Sequence, residues 1–291
     1  MGQGRESGAG AMERTMKKYF PLFVMPTLTA FLVAFVVPFF MGVYLSFCEF
    51  TTVSNGKFVG ISNYLKAFSN KGFLHALVFT VMFAVVAIIT INVFGFMLAL
   101  LLTKKVPGRN LFRTVFFMPN LIGGIVLGYI WQAMINGILS AFGVTMLMDA
   151  KYGYWGLIIL MNWQMIGYIM VIYIAGLQNV SADVLEAAKI DGANKLQTLF
   201  RVTIPMMMPS ITICLFLTIS NSFKMFDQNL ALTGGAPGKE TQMLALDIYN
   251  TFYGRIGYEG VGQAKAVIFF ILVAVIAGIQ LLFTRSKEVE Q

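Results

Sequence analysis

EAAKIDGANKLQTLFRVTIP, Glu186 to Pro205, is a polar and charged stretch set between two long apolar runs. Just upstream the chain reads NVSADVL, and Asp183 followed three residues later by Glu186 has the form of a capping box, which satisfies the free N–H groups that open a helix. Val184, Leu185, Ala187, Ala188 and Ile190 give that helix a small apolar surface. Asp191-Gly192 stops it, because glycine enters the left-handed conformation at little cost. A second short helix is expected next, with Leu196, Leu199 and Phe200 on one side, before Pro205 and Pro209 break the chain. Helix, tight turn and helix make a knob. Paired alanines would let a neighbouring surface come close, and Glu186 with the basic residues around it would orient that surface by charge. Equally, Glu186 caps a helix and the loop connects two apolar segments; the residues alone leave both readings open.

The runs on either side set the class of protein. Of 291 residues 58% are hydrophobic and 12% charged, and the mean hydropathy is +0.76. Twenty-one basic and 13 acidic residues cannot coat a soluble core of this size, so lipid must cover the rest. A net charge of +8 raises the question of nucleic acid, but the basic residues cluster in short connections between apolar runs, which is the topology pattern of a membrane protein. Cys48 and Cys214 lie in or at the end of apolar runs without metal-ligand neighbours and read as packing residues.

A crossing helix needs roughly 20 apolar residues. Six segments qualify: Tyr19 to Phe47, Leu77 to Leu102, Thr114 to Ile135, Tyr154 to Leu177, Pro209 to Met225 and Ala266 to Phe283. The first is too long for a signal-peptide core and lacks a small-residue cleavage site, so it is read as a permanent span. An all-α membrane protein with six transmembrane helices follows, residues 19–284, flanked by tails 1–18 and 285–291. Arg5, Arg14, Lys17, Lys18, Lys104, Lys105, Arg109, Arg113, Lys189, Lys195, Arg201, Arg285 and Lys287 fall on one side, 13 of the 21 basic residues. That asymmetry puts both termini and the knob in the cytoplasm. Outside, the connection Asp227 to Lys265 is the longest and carries TQMLALDIYNTFYG, expected as one surface helix. His75 has no partner in sequence and is given no catalytic role.

Within the spans as drawn no carboxylate appears. A mid-membrane charge costs roughly 2.5 to 3.5 kcal/mol, so ion-coupled carriers usually show one, and an independent secondary carrier is the weaker alternative. Neutral polar groups are present instead: Asn92, Asn120, Gln132, Asn162 and Gln164 beside Trp163, then Ser220, Asn221 and Ser222. Uncharged amides next to aromatic rings suit a polyhydroxylated, uncharged cargo, although any one of them also serves to glue helix to helix. Lys224 and Asp227 are expected near the outer membrane boundary, paired with each other or with Lys224 snorkelling.

The knob resembles the signature of permease subunits of ABC importers: Glu-Ala-Ala, three residues, Gly, nine residues, then Ile-x-Leu-Pro. Here it reads Glu186-Ala187-Ala188, Gly192 and Val202-Thr203-Ile204-Pro205, with two aliphatic swaps. Asp191-Gly192-Ala193 resembles the version in the sugar-transporting branch, and PGRNLFRTVFFMPN, Trp131 and KMFDQNLALTGGAP extend the likeness over nearly the whole chain. The resemblance implies a type I ABC importer permease fold in a bacterial or archaeal cell membrane, with residues 178–208 forming a loop and coupling helix that docks on a cytoplasmic ATPase. Glu186 would pair with a basic residue of that ATPase, Ala187 and Ala188 would allow close packing, and Asp191-Gly192 would make the turn that leads to Pro205. It further implies a second permease, usually a related but different chain, two ATPases that bind ATP and magnesium, and an extracytoplasmic sugar-binding protein. Cargo residues in that family lie on the fourth to sixth spans and the start of the outer loop, which here points to Asn162, Trp163, Gln164, Asn221 and Asp227. No catalytic, metal or cofactor site of the chain's own is expected. GGAPGKET, Gly234 to Thr241, contains Gly238-Lys239, yet Thr233 and Glu240 stand where a phosphate loop needs glycine and Ser or Thr.

Overall fold

The computed structural model describes residues 19–104 and 106–287. The tail residues Arg5, Arg14, Lys17 and Lys18, the connecting Lys105 and residues 288–291 lie outside the described residues. In lipid a backbone has no water to bond, so each apolar run closes its hydrogen bonds within itself as a helix. The first, α1, is Tyr19–Leu45. A π turn over Leu32–Val36 sits just ahead of Pro38, whose missing N–H such a local widening accommodates. Strands β1 (Cys48–Glu49) and β2 (Lys57–Phe58) pair antiparallel and set Glu49 opposite Lys57. Helix α2 follows at Ser62–Phe68, where buried Asn63 donates from Nδ2 to the carbonyls of Ser46 and Cys48 at 3.0 and 2.8 Å.

The remaining helices are α3 (Lys71–Thr103), α4 (Arg109–Phe117), α5 (Gly124–Ser140), α6 (Ala150–Gln178), α7 (Ala182–Ile190) and α8 (Lys195–Met206). Then come α9 (Met208–Phe223), α10 (Asp227–Leu232), α11 (Leu244–Gly254) and α12 (Glu259–Arg285). Four of these, α1, α3, α6 and α12, are long and apolar enough to cross a membrane unbroken. Two further pairs do so together, α4 with its 3₁₀ extension Met118–Leu121 followed by α5, and α8 with α9, bent by 102° and 72°. Six crossings result when each bent pair is one span.

The third crossing therefore departs from the single helix expected over Thr114–Ile135. Pro119 has no N–H to give and Gly123-Gly124 prefers no helix, so the segment stops at Leu121 and restarts at Gly124 in a new direction. The last helix also begins earlier than expected, at Glu259 rather than Ala266, and so includes Lys265.

Helix α6 is the hub. Hydrophobic burial cannot choose between apolar helices in lipid, so small residues and polar bonds must place them. Tyr173 of α6 donates its hydroxyl to Asn92 Oδ1 of α3 at 2.6 Å, and Asn92 Nδ2 donates to Thr218 Oγ1 of α9 at 3.0 Å. That one network ties three helices. Gly95 of α3 approaches the Ile166 carbonyl and Ile169, and Gly176 of α6 touches Ser210 of α9. Buried Cys214 and Ile169 pack within the same core. By contrast the apolar window of α1 has no buried residue, so this helix stands at the edge of the bundle.

Candidate functional site

The knob forms as two capped helices. The cap of α7 lies two residues before the expected Asp183: the helix starts at Ala182 and Ser181 caps it, its Oγ accepting from the Asp183 N–H at 3.3 Å. Asp183 then stands in the first turn and Lys189 in the last, each where the helix dipole favours its charge. At the other end Gly192 adopts φ +81°, Ala193 N–H reaches the Ala188 carbonyl at 3.0 Å and Gly192 N–H that of Lys189 at 3.1 Å. These two bonds satisfy carbonyls that a helix end leaves open. Helix α8 opens with a reciprocal box the sequence reading missed, Asn194 Oδ1 accepting from Gln197 N–H and Gln197 Oε1 from Asn194 N–H, at 2.9 and 2.8 Å. A π turn over Leu199–Thr203 precedes half-buried Pro205, as in α1, and the chain bends at buried Met207 rather than at either proline.

The elbow's surface is apolar where it meets nothing. Ile190 is 86% exposed at the tip, Leu196 67% and Phe200 64% along one side of α8. Glu186, Ala187, Asp191 and Gly192 are exposed too, whereas Ala188 is buried against the chain itself, leaving Ala187 as the alanine open to a neighbour.

The polar residues of the spans divide into glue and free groups. Asn92, as above, is locked, and so is Gln132, whose Nε2 donates to the Leu232 carbonyl at 2.8 Å. Gln164 stands at the midpoint of α6 (Ala150–Gln178). Its Nε2 donates to the Ile122 carbonyl at 3.3 Å, a group freed by the break in the third crossing, and its Oε1 accepts from Gln228 Nε2 at 2.8 Å. Gly124 meanwhile lies so close to Asp227 and Gln228 that an added Cβ would stand 2.8 Å from Asp227 Cβ. The two breaks, 122–124 and 224–227, thus meet at one level halfway along α6.

At 16 residues α9 spans about 24 Å, and the bond from Gln228 to Gln164 sets the start of α10 level with the midpoint of α6. Asp227 and Lys224 are both exposed there, and among the described residues they form no ion pair with each other. Ser222 Oγ contacts Met161 Sδ at 3.8 Å, which holds α9 against α6 at this level. Asn221 is exposed and Trp163 is 43% exposed, its ring edge-on to Trp131 at 5.6 Å. Asn162 gives its Nδ2 to the Ile158 carbonyl at 2.8 Å, but its buried Oδ1 has no partner. Of the five residues singled out for cargo, Trp163, Asn221 and Asp227 are therefore exposed, Asn221 with its Nδ2 taken by the Leu217 carbonyl at 2.8 Å, while the unpaired oxygen of Asn162 is buried and Gln164 braces the junction from inside.

The connection 227–265, expected outside, is packed into the fold and not laid on its surface. Asn229 Nδ2 donates to Thr233 Oγ1 and the Thr241 carbonyl, and its Oδ1 accepts from Met243 N–H at 2.9 Å, so GGAPGKET folds as a braced turn. His75, without a partner in sequence, bonds the Glu240 carbonyl of that turn at 2.8 Å. Helix α11 is fixed by a charged pair missed in sequence because its two halves are 18 residues apart: Lys265 Nζ, 0% exposed, reaches Asp247 Oδ2 at 2.7 Å and Thr251 Oγ1 at 2.8 Å. Its ammonium also faces the Phe73 ring at 5.1 Å.

Comparison with known proteins agrees with this architecture. Residues 91–289 match the family described as binding-protein-dependent transport system inner membrane component. Over 277 residues, 92% of this chain and 94% of the relative, 44% are identical to the "Probable starch degradation products transport system permease protein AmyD" of Thermoanaerobacterium thermosulfurigenes. The "Multiple sugar-binding transport system permease protein MsmF" of Streptococcus mutans is 30% identical over 96% of this chain and 99% of its own. The fold matches a chain of a bacterial ABC transporter for the acidic polysaccharide alginate, with TM-score 0.79, 18% identity, and 95% and 99% of the two chains covered. The chain belongs to the inner membrane components of binding-protein-dependent transport systems: it is a permease subunit and not an enzyme.

Proposed function

We propose, with that membership as the premise, that this permease carries a neutral carbohydrate into the cell by alternating access, driven by separate ATPase subunits that dock on α7. The observation that carries the reading is the elbow: a helix of nine residues, sealed at both ends by its own caps, that projects exposed Glu186, Ala187 and Ile190, with exposed Leu196 on the helix that follows, and nothing among the described residues covers them. A projection of that kind is a coupling element, and residues 178–208 are its full extent. Helix α8 leads through the 72° bend at Met207 into α9, so a force on α7 passes by way of the Gly192 turn, α8 and that bend to Asn221 and the Asp227 junction. Both termini and the elbow lie on the cytoplasmic side in this reading. ATP and magnesium are held by the two ATPases, a second permease closes the face on which Trp163, Asn221 and Asp227 are exposed, and an extracytoplasmic binding protein delivers the cargo.

The names of the relatives support a sugar, and the site's chemistry agrees. The exposed Asn221, whose Nδ2 is held by the Leu217 carbonyl at 2.8 Å, keeps its amide oxygen for a hydroxyl, and the half-exposed Trp163 ring offers a face for C–H groups. Reconstitution with native partners tests the reading: carbohydrate-loaded binding protein should stimulate ATP hydrolysis and uptake together. Gradient-driven uptake by this chain alone, without ATP, would overturn it.

A further inference from the structure

Four aromatic rings stand in file in the outer half of the molecule. Phe226 lies 5.1 Å from Tyr249, Tyr249 lies 4.9 Å from Tyr253, and Tyr253 lies 4.9 Å from Phe252, centroid to centroid. One end of the file is Phe226, the residue before Asp227, and hence close to the junction beside the midpoint of α6. The other end is the end of α11, where Phe252 packs on Phe50 of the first outer loop. Between them the rings border a cavity of about 380 Å³ against Gln263 of α12. Tyr249 and Tyr253 are 43% and 73% exposed, and among the described residues neither hydroxyl has a hydrogen-bond partner.

An aromatic belt at a membrane surface gathers rings at one height. Here three of the rings instead lie along one helix, α11, which the buried Lys265–Asp247 pair and the bond from Leu244 N–H to Thr80 Oγ1 (2.8 Å) hold rigid, and the fourth, Phe226, leads from it to the junction. Ring faces spaced by about the width of one sugar unit, with phenol hydroxyls at their rims, suit a chain of pyranoses, which presents C–H faces and hydroxyls in alternation. We propose that Tyr253, Tyr249 and Phe226 form a stacking track for linear oligosaccharides, receiving a chain at the outer surface and leading it to the junction at Asp227. This rests on the carbohydrate reading above and adds to it a preference for length: a chain of several units touches every ring, a short one only some.

The test uses the assembled transporter with its native second permease, ATPases and binding protein in liposomes, supplied with a disaccharide or a pentasaccharide of α-linked glucose. Replacing Tyr249 and Tyr253 by Ala should cut pentasaccharide moved per ATP hydrolysed about tenfold, the loss of one or two stacking contacts, and disaccharide less than twofold. Stimulation of ATP hydrolysis by the loaded binding protein should stay near the wild-type rate, and the double Phe variant should restore most pentasaccharide transport. Equal losses for both sugars, no loss for either, or failure of Phe to rescue would overturn the track while leaving carbohydrate import standing. A wild-type complex that moves neither sugar nor any other carbohydrate would sink import and track together.

Discussion

The elbow and the junction beside the midpoint of α6 are built in opposite ways. The elbow is local: Ser181 caps α7, Gly192 turns it, and Asn194 with Gln197 opens α8, so every bond that shapes it joins residues a few positions apart. The junction is held from a distance, Gln164 to Gln228 across 64 residues and Gly167 of α6 against the Phe116 carbonyl of α4. A locally determined unit keeps its shape while the rest of the molecule moves, which is what a part that takes up force requires. A unit assembled from remote contacts changes when any contributing helix shifts, as a cargo gate should.

The largest effect should come from disturbing the elbow. Glu186→Lys reverses the charge offered to a docking partner, and Gly192→Pro cannot reach φ +81°, since proline is fixed near −65°. Either should abolish ATP-driven uptake while the chain remains in the membrane fraction; wild-type uptake by both would remove the functional distinction between the two regions.

What could be read in the sequence follows the same division. The six apolar runs, the turn at Gly192 and the helical spacing of Leu196 and Phe200 were legible because periodicity and glycine chemistry act over a few residues. Which residue caps α7 was misread by two positions, since Ser181 and Asp183 are both good caps and only the backbone geometry decides. Pro119 and Gly123-Gly124 did signal a break inside the third run, but a uniformly apolar window hides it when spans are drawn by hydropathy alone. That Asp227 stands level with the midpoint of α6 was not legible at all, because it depends on where α9 ends and on Gly124 admitting α10 beside it. Buried Lys265 was hidden for a similar cause: its partner Asp247 lies on another helix.

That pair supplies the next test in size, within the long-range part of the fold. Lys265→Met leaves Asp247 buried beside an apolar side chain and should cost about 3–5 kcal/mol, whereas the double variant Lys265→Met with Asp247→Leu should recover most of it. Thermal unfolding of the purified complex in detergent reads both, and equal stability of single and double variants would show that the pair does not act as a unit. Smaller still is a matched comparison of the two regions. Gly167→Ala drives a methyl group into the Phe116 carbonyl and should destabilise by about 1–3 kcal/mol. Ser181→Ala removes one exposed cap at about 1 kcal/mol, enough to fray α7 without disturbing the junction. A Ser181 variant that lowers the melting temperature more than the Gly167 variant would reverse the assignment of local and remote.

One measurement bears on the central claim most directly. Both native cysteines are buried, so Ile190→Cys places a single reactive thiol at the exposed tip of the elbow. In the assembled transporter this thiol should be labelled by a membrane-impermeant maleimide only from the cytoplasmic face, and a short bifunctional reagent should join it to an ATPase subunit in a yield that changes with ATP. Labelling from outside the cell, or no crosslink to any nucleotide-hydrolysing partner, would contradict the account.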